Sequence, residues 1–372
     1  MRQPHGAAEA QPVKRVFISD CEGPISKNDN AFEAAARFVT NGDKLFALIS
    51  KYDDVLADVV KKPGYNAGDT LKLILPFLKA YDVTDKRLNE FSAENMVLIA
   101  GSKNTLEYVR LLLDAFIVST SYEHYIKALC EALSFPFENT YCTRLSIDKY
   151  VLSEPEKSRL QELAREIAQT PMITIHTSAN SLEDFSKQDQ ETVRRLDEIF
   201  WEEISRMDTG AIFSEVKPIG GCQKAEAVKD AAERSRVQLS DVLYVGDSIT
   251  DVEAFKLVRE NGGLTVSFNG NQYAVKNAEV AVLSENNTVT AVIAELWCKL
   301  GKREAMEVLK TWSPEALKQG SMSKMILERL FALYPDRLPK VKIVTPQNME
   351  TLVCESSKFR KKARGEAVGR LG

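Results

Sequence analysis

The chain has 372 residues, 44% of them hydrophobic and 27% charged, with a formal net charge of −4. This size supports one large or two medium domains whose core needs no covalent staple, and the mildly acidic balance excludes a surface built broadly for nucleic acid. The six cysteines (Cys21, Cys130, Cys142, Cys222, Cys298 and Cys354) show no C-x-x-C spacing, and His5, His124 and His176 are dispersed. That excludes a zinc ribbon, a redox pair, a histidine-rich metal site and an iron–sulfur carrier. Scattered thiols fit a reducing, cytoplasmic location. No apolar run reaches the roughly 18 residues of a membrane helix, so no membrane insertion is expected.

In chain order, residues 1–13 are polar and rich in Ala, Gln and Pro; they lack a secretory apolar region and read as a disordered tail. Arg15 to Asp20 (RVFISD) is a short apolar run ending on an acid, the pattern of a buried parallel strand. Gly23-Pro24 then breaks the chain. From Ala31 to about Val109, apolar residues recur at spacings of three and four, which predicts a helical module inserted after the first strand. Ala115 to Ser119 predicts a second buried strand, followed by a helix over 122–133 and a strand over 141–147. Residues 154–170 and 190–206 read as charged amphipathic helices of a second insertion, with a strand over 172–177 between them. A helix beginning near Lys224, a strand at Val242 to Val245, a helix from Thr250 and strands at 264–268 and 278–283 complete the core. Beyond Leu300 the chain reads as helical and charged, ending in a basic stretch from Lys358 to Arg370. Alternating strands and helices argue for a parallel sheet covered on both faces, whose ligands gather at the carboxyl ends of the strands.

The polar residues of interest fall at those ends. In Asp20-Cys21-Glu22-Gly23, one carboxylate can attack phosphorus while the other serves the leaving oxygen and then water. Gly246-Asp247-Ser248-Ile249-Thr250-Asp251 sets two acids around a strand-to-helix turn, with Thr250 and Glu253 at capping-box spacing. Such oxygen donors suit Mg²⁺. Ser119, Thr120 and Ser121 end the second strand, where a hydroxyl beside a helix N-terminus can bind a phosphate oxygen. Lys224 opens a helix against the dipole preference, which implies an anionic partner.

In this order the stretches VFISDCEGP, FIVSTS, GGCQKAEAV and LYVGDSITDVEAF resemble the haloacid dehalogenase (HAD) superfamily of phosphatases and phosphotransferases. The resemblance implies an α/β fold, a Rossmann-like parallel sheet with inserted caps, and a Mg²⁺-dependent phosphatase working through an aspartyl phosphate. It casts Asp20 as nucleophile and Glu22 as acid/base, with Ser119, Thr120 and Lys224 binding phosphate. Asp20, Glu22, Asp247 and Asp251 are the candidate metal ligands, Asp251 alternatively positioning Lys224. Glu22 departs from the Asp that most phosphatases of the superfamily carry two residues after the nucleophile. The longer stretch ISDCEGPISKNDNAFE is similar to a narrower archaeal-type family, energy-converting hydrogenase A subunit R, which implies association with a hydrogenase complex as an alternative.

The expected layout is a core of 14–26, 114–150 and 208–300, a helical cap over 27–113, a second insertion over 151–207, and a helical extension over 301–372. A cap of this size fits a small phosphorylated metabolite rather than a protein substrate. Asn28, Asp29 and Asn30 read first as a turn capping the Ala31 helix, and second as substrate contacts. The second insertion is expected to shield the site or to form a homo-oligomer interface. The basic tail reads as a solvated terminus, without the aromatic interleaving of a nucleic-acid binder. Two other functions stay open: a phosphotransferase or mutase, and a non-catalytic scaffold subunit.

Overall fold

The computed structural model describes residues 14–176, 179–320, 322–369 and 371; the expected N-terminal tail lies outside them. At the centre is a seven-stranded sheet, β1 (Val16–Ser19), β2 (Asp114–Tyr122), β3 (Thr140–Thr143), β4 (Val242–Gly246), β5 (Leu264–Phe268), β6 (Val280–Leu283) and β7 (Lys340–Ile343), in the order β3-β2-β1-β4-β5-β6-β7. All neighbours are parallel except the edge pair β6–β7. β1 is short and wholly buried because helices cover both faces, so no polar alternation is needed. Its side chains alternate between two cores. Val16 and Ile18 join Tyr244 and the helices Cys222–Ser235 and Val252–Glu260, whereas Phe17 joins Leu243, Val245 and the helices Ser102–Leu112, Glu123–Leu133 and Thr288–Lys310.

Register positions the site. Ser19 lies opposite Ile117 of β2 and Val245 of β4, so Asp20 leaves β1 beside the stretch where β2 carries Ser119 and β4 gives way to Asp247. The Asp20 N–H donates to Val245 O at 2.8 Å, carrying the ladder to the point where the chain leaves the sheet. Asp20, Ser119 and Asp247 therefore emerge on one edge.

The two insertions form one body. A single apolar cluster joins Phe32, Leu45, Tyr52, Phe77 and Leu88 of the first to Leu160, Leu163, Val193 and Phe200 of the second. Across the junction the Tyr52 hydroxyl donates to Asp197 at 2.6 Å and accepts from Trp201 Nε1 at 2.8 Å.

Several expectations need correction. The helix Ser102–Leu112, assigned to the cap, packs Leu106 and Val109 into the sheet's core, because its apolar stripe faces the Thr288–Lys310 helix. No strand forms at 172–176, where only Ile173 is buried and no ladder partner is at hand. The second charged helix runs Lys187–Asp197 and continues as wider and tighter turns to Arg206. Capping falls on Ser248 and Asp251 rather than Thr250 and Glu253, because Asp251 reaches back to the turn's own N–H groups. The sheet does not end at β6, since β7 pairs antiparallel with it. The basic tail is no solvated terminus: residues 349–364 form a helix that buries Leu352, Ser356 and Arg360.

Candidate active site

Lys224 sits at the first turn of Cys222–Ser235 and is completely buried. Its Nζ lies 2.7 Å from Asp20 Oδ2 and 2.7 Å from Asp251 Oδ1. A buried ammonium is tolerated only when paired and hydrogen-bonded. Burial works against the Lys224 charge, but Asp20 and Asp251 outweigh it and raise its pKa. The same pairing resolves the dipole conflict seen in the sequence.

Asp251 is fully committed. Its Oδ2 accepts from Asp247 N at 2.8 Å and Ser248 N at 3.0 Å, and its Oδ1 accepts from Lys224 and, at 2.7 Å, from the Tyr244 hydroxyl. These contacts suit a residue that fixes the turn and Lys224. Asp20, Asp247 and Asp251 nonetheless form one buried group with a carboxylate oxygen of each within 4.8 Å of the others. Hard oxygen donors in that array fit a Mg²⁺ ion, with Asp20 and Asp247 the two whose oxygens are less engaged by the protein's own N–H groups. Glu22, also expected among the ligands, is outside this group; its Oε1 accepts from Asn30 N at 2.7 Å.

Glycines set the spacing. Gly23 has φ +110, and a Cβ there would stand 2.0 Å from Asp247 Oδ2, so the D-x-E-G glycine is needed for the two strand-end loops to meet.

Burial pushes the Asp20 carboxyl up to about 7, with Lys224 opposing and Asp251 and Asp247 adding to the rise. Burial also lifts Glu22 well above the usual carboxylate range, reinforced by Asp29 and opposed by the Asn30 N–H, Arg364 and Ser121. A carboxyl that holds its proton beside a nucleophile is suited to protonating a leaving oxygen.

Ser119 Oγ donates to Ser121 Oγ at 3.0 Å and accepts from Ser121 N at 3.2 Å. Thr120 lines the cleft, although its hydroxyl donates to Ile219 O at 3.0 Å. Asp29 caps Asn30–Phe38 by accepting from Phe32 N at 3.0 Å, and Asn28 bonds Glu33, Asn95 O and Val97 N. The turn-and-cap expectation describes these residues, while Asp29 also borders the cleft.

The cleft holds about 660 Å³ including its mouth. Its floor carries Asp20, Glu22, Ser119, Thr120, Asp247 and Thr250, and its roof carries Phe46, Ser50, Asp53, Asp54, Thr70 and Leu71 of the cap. At one side the cap touches the core backbone to backbone: a Cβ on Gly220 would stand 2.1 Å from Ala67 O.

Two residues that the sequence reading placed in a solvated basic tail enter from the far end of the chain. Arg360 donates to Asp247 Oδ2, and Arg364 reaches the same oxygen at 3.1 Å while also donating to Lys27 O at 3.0 Å and to Asn28 O. Their spacing of four puts both on one helix face, a signal present in the sequence; nothing there said which surface that face meets.

A mostly parallel sheet with acids and a lysine at its carboxyl edge, roofed by inserted helices, defines a hydrolase of the haloacid dehalogenase type. That family matches residues 77–295, more than half of the chain, and the chain belongs to it. The match includes Ser119, Lys224, Asp247 and Asp251 but begins after Asp20 and Glu22. Among solved structures, a gene product of Archaeoglobus fulgidus is similar at 25% identity and TM-score 0.78, over 96% of this chain and 99% of that one. Two phosphoserine phosphatase structures are 12% identical, a phospho-aspartyl intermediate analogue at TM-score 0.43 (74% of this chain, 95% of that one) and a substrate complex at 0.44 (73% and 94%). No curated protein matches. The narrower hydrogenase-subunit resemblance is not among these matches. Among the described residues, no helix is long and apolar enough to cross a membrane.

Proposed function

We propose that the chain is a Mg²⁺-dependent phosphatase acting on a small phosphorylated metabolite, with Asp20 as nucleophile. The observation that carries this reading is the fully buried Lys224 bridging Asp20 and Asp251 at 2.7 Å each. A lysine held against a carboxylate beside further acids offers positive charge where transferred oxygens would gather, while the acids reserve a place for a cation.

In this mechanism Asp20 attacks phosphorus and the ester oxygen departs with the Glu22 proton, leaving an aspartyl phosphate. Glu22, now ionised, takes a proton from water, which attacks phosphorus and frees Asp20 and inorganic phosphate. Lys224 and the Ser119 hydroxyl hold the phosphoryl oxygens, and Asp251 holds Lys224. Asp20 and Asp247 would hold the Mg²⁺, whose contribution is neutralisation of phosphoryl charge. The cap excludes water other than the attacking one and confines the leaving group to small molecules.

Hydrolysis of an aryl phosphate with Mg²⁺ tests the reading. Wild type should turn over, and Asp20→Asn should lose at least about 10³-fold in kcat, because the covalent route is closed. Equal rates for the two proteins would sink it.

A further inference from the structure

The C-terminal helix Met349–Arg364 lies beyond the region matched by the family and ends inside the cleft. It is anchored on the core by Leu352 among Val275 and Ala281, and by the Ser356 hydroxyl donating to Gly270 O at 2.6 Å. Further on, Val368 and Leu371 enter the apolar cluster of the cap. Arg360, between these anchors, is therefore held in place.

Its charge is more than Asp247 requires. Arg364 already bonds Asp247 Oδ2, and its other donors are taken up by Lys27 O and Asn28 O. Arg360 adds a second guanidinium to that same oxygen. It is 3% exposed, and its Nε is buried without a hydrogen-bond partner. A buried donor without an acceptor carries a full desolvation cost. In the roof, Asp54 is paired with Lys51 at 2.9 Å, and Asp53, whose Oδ2 accepts from Gly68 N at 2.8 Å, makes no hydrogen bond to Arg360.

We propose that Arg360 is a substrate-binding residue that receives a second anionic group, a carboxylate or a second phosphoryl group, on the leaving-group portion of the substrate. This rests on the phosphatase reading of the same cleft. The transferred phosphoryl group has Lys224 and Ser119, whereas Arg360 comes from the segment that continues into the cap, the part that roofs the leaving group. A guanidinium presents a planar fork suited to either anion.

The test is calorimetric titration, in excess Mg²⁺, of three non-hydrolysable probes: ethylphosphonate, phosphonoacetate and ethylene-1,2-bisphosphonate. Wild type should bind at least one doubly anionic probe about tenfold more tightly than ethylphosphonate, the size expected of a charge-assisted pair. The probe that shows the gain identifies the group. Arg360→Gln should abolish the gain and leave ethylphosphonate affinity, read in saturating Mg²⁺, within about threefold. Arg360→Lys, which keeps the charge without the fork, should retain only part of the gain; it decides the matter if Arg360→Gln does not fold. A wild-type ratio near one overturns the proposal, as does a ratio that survives substitution, or an equal loss for all three probes. A rise in Mg²⁺ affinity in Arg360→Gln with the probe ratio intact also overturns it, making Arg360 a counter-cation of Asp247 alone. Because binding is read without turnover, failure of the aryl phosphate assay with an intact ratio would sink the phosphatase reading alone.

Discussion

Lys224 separates fold from chemistry at the scale of single residues. Replacing it with Met leaves Asp20 and Asp251 buried beside one another without their shared cation, which is expected to cost about 3–5 kcal/mol and about 10²–10³-fold in kcat; urea denaturation and steady-state rates measure the two. Asp53 in the cap roof supplies a pH prediction. Burial first, then the Asp54 charge, pushes its carboxyl up to about 7 against the Tyr65 hydroxyl and the Gly68 N–H. Unfolded, an aspartate ionises near pH 4. Between about pH 4 and about 7 the folded state thus binds more protons than the unfolded one, and stability falls as pH rises through that window. Asp53→Asn should flatten that decline, gaining on the order of 2–4 kcal/mol relative to wild type at pH 8 and little at pH 4. An unchanged slope in denaturation series from pH 4 to 8 would show that Asp53 is not its source. The residues at strand ends were legible because acids and glycine following short apolar runs have few structural reasons to be there. Arg360 and Arg364 were not, since a basic run has the same composition whether it faces water or a buried carboxylate.

For whole elements, β1, β2, β4 and β5 could be read within a few residues because fully buried parallel strands have no polar alternation to confuse them. β7 was missed: Lys340–Ile343 alternates charge and hydrophobe in only four residues, and its pairing with β6 is set by contacts 60 residues away in the chain. Over 172–176 the expected strand failed for the opposite reason, a β-branched run with no strand to pair with among the described residues. The fusion of the insertions was equally invisible, because Tyr52 meets Asp197 and Trp201 only after both have folded. Tyr52→Phe should therefore destabilise the cap by about 0.5–1.5 kcal/mol, removing two hydrogen bonds while the half-buried Trp201 and Asp197, the latter with Lys62 at 3.6 Å, keep access to other partners. Hydrogen exchange should report faster opening in the helices Gly42–Asp54 and Lys187–Asp197 together; acceleration in only one would mean that the two fold separately.

At the level of the whole molecule, cap and core meet at several places around the cleft, among them the Ala67–Gly220 approach, the Tyr122 hydroxyl on Leu71 O, His124 Nε2 beside Asp85 at 2.9 Å, and the C-terminal segment. The proposed small-metabolite specificity predicts that an intact phosphoprotein is kept out from beneath a roof held at these places. The expected outcome is turnover of small phosphate esters and none, within about a hundredth of that rate, of a folded phosphoprotein. Comparable rates on both would require the cap to swing fully open during the cycle.

The path of the chain through this site has a consequence for its manufacture. The proposed nucleophile is Asp20, and the arginines that reach Asp247 are Arg360 and Arg364. Proteins emerge from the ribosome amino end first, at about 5–20 residues per second, so Arg360 and Arg364 are made after Asp20, Lys224 and Asp247. A nascent chain that has passed Asp247 but not Arg360, or a product clipped ahead of Arg360, carries Asp20 and Lys224 without the guanidiniums that complete their surroundings. For the same reason an affinity tag fused after Leu371 would be tied to a side chain buried in the cap, whereas one placed ahead of Lys14 begins at an exposed residue on the molecule's surface.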